Sequence, residues 1–263
     1  MSATISSINY CPVKSVSFQT IYKCEIKKDI GIIGDRIFAF AKDLEVDKAL
    51  LFEKNPEERK GKWNKVLTLK NSPVLNKYNF LFKDNKLTLT FKNKEILTIN
   101  TGELSERQLL ANKIVELENS LKEPIVLMKN EELPFFDTSI SNKVDFVNSV
   151  SLLNIQSIND FQKKIDKKVE ISRFRGNICI DGIKPWEERE WIGKTIKINN
   201  ISFKVEKNIP RCVAINLKPA TDDNSLNLLQ SLKKNYNHFE MGIYLTALDD
   251  GEINLGDKVK ITI

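Results

Sequence analysis

The sequence predicts a mostly β protein with some α-helix, laid out as two β-rich domains over residues 1–122 and 123–263. Three observations carry this expectation. Short runs with a two-residue hydrophobic period fill the first hundred residues. Only three segments combine a helical period with a polar start. Strand-like runs then return through the second half, so helices are too few to cover a parallel sheet.

Taken in order, Ile5 to Tyr10, Phe18 to Ile26 and Arg36 to Ala41 read as short strands. Asp43 to Lys62 is charged and unpatterned and reads as an exposed loop. Tyr78 to Lys83 and Lys86 to Phe91 alternate around Asp84-Asn85, a two-residue hairpin turn, and Lys94 to Ile99 follows as a third strand. This meander is expected to close into a small barrel or sandwich. Ser105 with Gln108 has the form of a capping box, and Leu110, Ile114, Leu117 and Leu121 keep one apolar face. Pro124 ends that helix and sets the expected boundary. Beyond it, Leu152 to Ile155 is a strand, and Ser157 with Asp160 begins a helix bearing Ile158, Phe161 and Ile165. Strands are expected at Ile178 to Ile180, Thr195 to Ile198, Ile201 to Glu206 and Cys212 to Leu217. A helix around Leu226 to Lys233 precedes two last strands, Gly242 to Leu248 and Lys258 to Ile263.

Composition narrows the function. The 263 residues carry a dispersed net charge of +6, without the basic arm that nucleic-acid binding needs. That balance suits a small anionic ligand better than a polyanion. No run approaches the ~20 apolar residues of a membrane span, and the start MSATISSINYCPVKS lacks the pattern of a secretory signal. Four cysteines in such a chain do not form a disulfide framework, so they are expected to be reduced and the protein cytoplasmic, without a membrane anchor. The single histidine, His238, excludes a His-rich metal site and a Ser-His-Asp triad. Any metal here must arrive with ligands of its own.

Arginine is scarce, with seven among 41 basic residues. Where Lys is the default cation, an Arg marks a need for a planar, forked donor. Pro12-Val13-Lys14-Ser15 offers an ammonium and a hydroxyl at a strand end, and Gly34-Asp35-Arg36 starts another strand; each alone also fits an ordinary turn. In Arg173-Phe174-Arg175-Gly176-Asn177, an extended backbone would put Arg173, Arg175 and Asn177 on one face. Two guanidiniums that close need an anion or carboxylates between them, and Gly176 would let a ligand approach the backbone. Ser157 reads as a helix N-cap whose hydroxyl would also suit a phosphate. Finally, Ile209-Pro210-Arg211-Cys212 sets a rigid Pro and a cation beside a thiol, which favours the thiolate that binds metal. Cys11, Cys24 and Cys179 lie in apolar settings and read as buried and inert.

Together PVKS, GDR, RFRGN, PWEEREW (Pro185 to Trp191), PRC and the closing Gly251…Gly256-Asp257 resemble the MOSC family in order and spacing. Its members join an N-terminal β-barrel-like domain to a C-terminal MOSC β-barrel with peripheral helices. The resemblance extends to the amidoxime-reducing components and covers essentially the whole chain. It implies the molybdenum cofactor (Mo-molybdopterin), with Cys212 as metal ligand and catalytic residue. Lys14, Ser15, Arg36, Ser157, Arg173, Arg175 and Asn177 match positions holding the pterin and its phosphate, and Arg211 precedes the ligand. Glu187 and Glu188 would then orient Arg173 or Arg175. The implied activity is two-electron reduction of small N–O substrates, with electrons from a separate ferredoxin-, flavodoxin- or cytochrome-type donor. The alternative is a cofactor or sulfur carrier with Cys212 as persulfide site. The chain departs from the family where Phe38 and Phe40 replace a Trp, and where Val213-Ala214-Ile215-Asn216 and Thr221-Asp222 replace a Thr-rich stretch and its turn.

Overall fold

The computed structural model describes residues 3–16, 18–59, 62–122, 124–136 and 149–262. The expected boundary after residue 122 falls on residue 123, outside the described residues, as does the expected last strand residue, Ile263.

The chain opens with β1 (Ala3–Tyr10), β2 (Gln19–Ile21), β3 (Lys23–Lys27), β4 (Gly31–Ile32) and β5 (Phe38–Lys42). Ile5 and Ile8 both enter the core although they are three positions apart, because a bulge between Ile5 and Ser7 resets the alternation. Next comes α1 (Val46–Lys54), inside the stretch expected to be an exposed loop. Its helical face is short, and Ala49 and Phe52 alone carry it inward. Arg59 ends this stretch fully buried, donating to the carbonyls of Phe52 (2.8 Å), Glu53 (3.1 Å) and Leu133 (2.9 Å). Burial pushes its pKa down to about 10.

The meander β6 (Tyr78–Lys83), β7 (Lys86–Phe91) and β8 (Lys94–Asn100) forms as expected around Asp84-Asn85. It remains a three-stranded sheet and does not close into a barrel. β5 pairs instead with β9 (Ile125–Lys129), an apolar run absent from the sequence reading. Helix α2 (Leu104–Leu117) packs Leu110, Ala111 and Ile114 into the core between these sheets. The capping box expected at Ser105 is not used. Glu103 is the N-cap without a side-chain bond, and Gln108 Nε2 reaches the Ile125 carbonyl (2.9 Å), tying the helix to β9.

The second half contributes β10 (Val150–Asn154), α3 (Ile155–Ile165), β11 (Ile178–Asp181), β12 (Thr195–Ile198), β13 (Ile201–Pro210), α4 (Leu228–Tyr236), β14 (Glu240–Ala247), β15 (Gly251–Asn254) and β16 (Lys258–Thr262). Seven strands close into a barrel in the order β11-β10-β14-β13-β12-β16-β1, with β1 pairing back to β11. The N-terminal strand therefore completes a barrel otherwise built from residues beyond 149. All its pairs are antiparallel except β10–β11, which α3 connects as a crossover. Ile5, Ile8, Leu152, Ile180, Phe203, Val205, Ile243 and Leu245 fill its interior, each fully buried side chain contributing about 1.5–3 kcal/mol. Outside the barrel, α3 and α4 bury Ile158, Phe161, Phe174 and Leu232 in a separate cluster.

Candidate functional site

Two segments that looked unrelated in sequence are laid side by side. Lys14 N donates to the Phe38 carbonyl (2.8 Å), Phe38 N to Pro12 (2.9 Å), and Arg36 N to Cys11 (2.7 Å). The Pro12–Ser15 turn and the Gly34–Arg36 turn thus form one ledge at the end of the barrel. Ser15, Arg36 and Arg175 all adopt the left-handed conformation, at φ of 67°, 53° and 50°. Such backbone is costly for these residue types and tends to persist where surrounding structure fixes a functional side chain.

These residues line a cleft of about 690 Å³, well within the size range of small-molecule sites. Lys14, Ser15, Arg36, Arg173, Arg175, Arg211 and Cys212 all line it, and Arg36 and Arg175 lie against the one Phe18 ring. Among the described residues six cations face the cleft (Lys14, Arg36, Lys70, Arg173, Arg175 and Arg211), and no carboxylate does.

Five of the six are held from behind. Arg36 Nη1 pairs with the buried Asp35 carboxylate, and its guanidinium lies between the rings of Phe18 (5.0 Å) and Phe136 (4.5 Å). Arg173 Nε meets Glu170 Oε2 at 2.6 Å, and its Nη1 donates to the Asn216 carbonyl at 2.7 Å. Arg175 donates to the Val16 carbonyl (2.9 Å) and stacks on Phe18 (4.7 Å). Burial lowers its pKa, opposed by Cys11 and reinforced by Arg36. Lys14 Nζ donates to the Phe136 carbonyl, 5.4 Å from the centre of the Trp63 ring. Arg211 donates to the carbonyls of Met241 (2.8 Å through Nε) and Phe174 (2.7 Å), stitching β14 to the arginine-bearing turn.

Cys212 is the one exposed cysteine of the four. It stands just past the end of β13. Instead of the strand expected over Cys212 to Leu217, it starts a 3-10 turn over Val213–Asn216, with Ile215 N on its carbonyl (3.2 Å). Cys212 is thereby left exposed among the residues that line the cleft. Cys11, Cys24 and Cys179 are buried as expected, and desolvation raises all three thiols, Cys24 to about 12.

Two expected site residues lie elsewhere. Asn177 is fully buried behind the arginines, where it donates to Asp35 (3.0 Å) and the Asn9 carbonyl (3.2 Å) and accepts from Ser151 Oγ (2.7 Å). The RFRGN segment is not extended: residues Ile171–Phe174 form a 3-10 turn and Arg175 is left-handed, so alternation does not set its faces. Gly176 makes room for Leu153, whose Cγ would lie 2.4 Å from an added Cβ, rather than for a ligand. Ser157 is not an N-cap. Asn154 caps α3 through Gln156 N (3.0 Å), and Ser157 Oγ instead donates to Glu188 (2.9 Å) and accepts from Trp186 N (2.8 Å), all outside the cleft. Glu188 therefore orients Ser157 and Asn154 rather than an arginine, and Glu187 accepts from Lys184 N (3.0 Å).

The structure adds Trp63, Asn64, Phe136, Ser151, Tyr244 and the 68–71 segment to the cleft. Trp63 within a charged run, and Ser151 inside an apolar strand, were the sequence signals that could have found two of them.

The family model described as MOSC domain matches residues 123–260. Over 161 residues the chain is 27% identical to mitochondrial amidoxime reducing component 2 of Bos taurus, covering 57% of this chain and 46% of that protein. Over 124 residues it is 33% identical to molybdenum cofactor sulfurase of Drosophila willistoni, covering 44% of this chain and 15% of that one. The chain thus spans less than half the length of either relative. The solved structure of YuaD from Bacillus subtilis aligns over 99% of this chain and 96% of its own, with a TM-score of 0.45 and 10% identity.

Proposed function

The chain belongs to the MOSC domain family, and from that premise we propose that its cleft holds the molybdenum cofactor, with Cys212 as a ligand to the metal, for reduction of N–O bonds. The observation that supports this most is the imbalance of charge: six cations and no carboxylate among the described residues of one cleft. Asp35 and Glu170 offset Arg36 and Arg173 from behind, Arg175 has carbonyl and ring contacts beside Arg36, and a phosphate accepts from several guanidiniums at once. The donor set fits the group in its chemistry too, since a soft thiolate suits a sulfur-coordinated metal and Cys212 is exposed beside the cations.

When bound, the cofactor supplies two-electron oxygen-atom chemistry, in which the substrate N–O oxygen leaves as water after uptake of two electrons and two protons. The residues of this chain bind and orient. Arg36 and Arg175, side by side on Phe18, would hold anionic oxygens together with Lys14 and Arg173. Ser15 offers a hydroxyl beside them. Asp35, Glu170 and the carbonyls behind the guanidiniums fix those donors before any ligand arrives, which lowers the ordering cost of binding. Trp63, Phe136 and Tyr244 give the cleft apolar walls that exclude water. Electrons come from a separate donor protein.

Protein made in a cofactor-competent host is expected to carry near-stoichiometric molybdenum together with a pterin that fluoresces after acid oxidation. Arg173→Ala or Arg175→Ala should lower that content at least about tenfold through lost charge-assisted bonds, while the exposed Lys168→Ala keeps it. Metal-free, pterin-free protein from such a host would overturn the reading. Sulfane sulfur on Cys212 without turnover would favour the carrier role.

A further inference from the structure

The PWEEREW motif stands outside the cleft, yet it is held with unusual care. Trp186 is left-handed at φ 66°, a conformation costly for a bulky side chain. Two bonds hold it there. Its N–H reaches Ser157 Oγ, which is fixed in turn by the buried Glu188, and its indole Nε1 reaches Asp160 Oδ2 at 2.8 Å. Asp160 Oδ2 also accepts from Tyr236 OH at 2.7 Å. The result is a half-buried aromatic platform: the Trp186 and Tyr236 centroids are 4.5 Å apart, and His238 lies 5.9 Å from Tyr236 in a stacked arrangement.

Two further features belong to this platform. A chain of rings runs inward from it, Tyr236 to Phe161 at 6.2 Å and Phe161 to Phe174 at 6.0 Å, and Phe174 lines the cleft. The rim is basic. Lys163 and Lys164 follow Asp160 on the same face of α3, and Lys233 stands near His238 and over the exposed Phe239 ring. Of the acids beside it, Asp160 is bonded to the two aromatic residues, Glu240 to Arg189 and Glu187 to the Lys184 N–H, while Glu190 is exposed on the motif itself.

We infer that this platform is the docking surface for a small acidic one-electron carrier, and that the rings from Trp186 to Phe174 are the inlet from that surface to the cleft. The inference rests on the proposed reductase reading and names its partner class. Charge complementarity selects the partner: an acidic surface is steered to the lysine rim, and the aromatic centre supplies dry contact. Packed rings give a tunnelling electron a continuous path where water would not. The electrons balance: two reduced carriers each lose one electron, and with two protons the N-hydroxylated substrate becomes the amine and water.

The test uses a plant-type [2Fe–2S] ferredoxin and has two arms. In the first, its binding to the cofactor-free protein is measured at low and moderate salt. Lys163→Glu with Lys164→Glu and Lys233→Glu, all on exposed side chains, should weaken binding at least about tenfold at low salt and flatten the salt dependence. Unchanged affinity, or no binding by the parent, overturns the proposal. In the second, cofactor-loaded protein is reduced either by the ferredoxin or by dithionite, which is small enough to enter the cleft, and the metal spectrum is followed. Trp186→Leu and Tyr236→Leu should slow the first and leave the second unchanged. Equal slowing of both, or of neither, overturns the inlet. A protein that binds no cofactor fails the reductase reading instead, and the first arm still reports on docking.

Discussion

Replacing Cys212 with Ser removes a soft ligand and leaves the backbone turn intact, because Ile215 N bonds the Cys212 carbonyl rather than its side chain. A serine hydroxyl stays protonated near neutral pH and is a poor partner for a sulfur-coordinated metal. The variant should keep most of its pterin on Lys14, Arg36, Arg173 and Arg175. It should lose turnover of N-hydroxylated compounds and the charge-transfer absorption of a metal–thiolate bond. Turnover at the parent rate would remove Cys212 from the chemistry. Asn177 calls for the opposite expectation. Expected from sequence as a cofactor contact, it is instead the buried hub joining Asp35, Ser151 and Asn9. Asn177→Ala leaves several buried polar groups unpaired and should cost about 3 kcal/mol in urea unfolding of the cofactor-free protein. Cofactor loss at parental stability would return it to the ligand shell. Seven of the nine expected site residues do line the cleft, because the signal was chemical: rare arginines, an ammonium and a hydroxyl at a strand end, and a thiol beside Pro210 and Arg211. The two that do not, Ser157 and Asn177, are polar residues whose partners are distant in sequence. Ser157 meets Glu188 across 31 positions and Asn177 meets Asp35 across 142, and no local pattern encodes such a pairing.

Among the elements, strands with clean alternation and a polar turn were legible, such as Tyr78–Lys83 and Lys86–Phe91. Those whose partners come from afar were not. Ile125–Lys129 shows no alternation, because all but its last residue are buried. Val213–Asn216 looks like a strand by composition, but pairing with β14 ends at Pro210 and the chain turns. Helix starts misled because the N-caps fall outside the expected boxes, at Glu103 in α2 and at Asn154 in α3. The segment Glu187–Trp191 carries a pH signature of its own. Burial raises the pKa of the Glu188 carboxyl above its ordinary value of 4.5, against the lowering by bonds from Asn154 and Ser157. A raised folded pKa means that folding takes up a proton above pH 4.5. The associated stability is fully present below that value and declines as pH rises through the folded pKa. Glu188→Gln keeps the size and the hydrogen-bonding capacity, so urea unfolding of the variant between about pH 4 and about pH 7 should show a flatter decline than the parent. Parallel profiles would mean that Glu188 is ionised in the folded state without penalty.

At the scale of the whole molecule, the MOSC match begins at residue 123, but the barrel does not. β1 fills the gap between β16 and β11, pairing Ala3 with Val259 and Ile8 with Ile178, and it puts Ile5 and Ile8 into the core. A fragment of residues 123–263 would retain Cys212, Arg173, Arg175 and Arg211. It would lack Lys14 and Arg36, which complete the cation set, and its barrel would stand open along two apolar strand edges. Open edges of that kind invite pairing between chains, and the loss of two fully buried isoleucines removes about 3–6 kcal/mol of burial, a large share of the stability of an ordinary domain. The fragment expressed alone should therefore aggregate, or bind a hydrophobic dye and show no near-ultraviolet circular dichroism. Co-expression of residues 1–122 should restore a soluble complex, since the missing strand is then supplied in trans. A fragment that unfolds cooperatively by itself, with the near-ultraviolet spectrum of the intact chain, would show that the barrel closes without β1 and that the N-terminal strand serves only to carry Lys14 to the cleft.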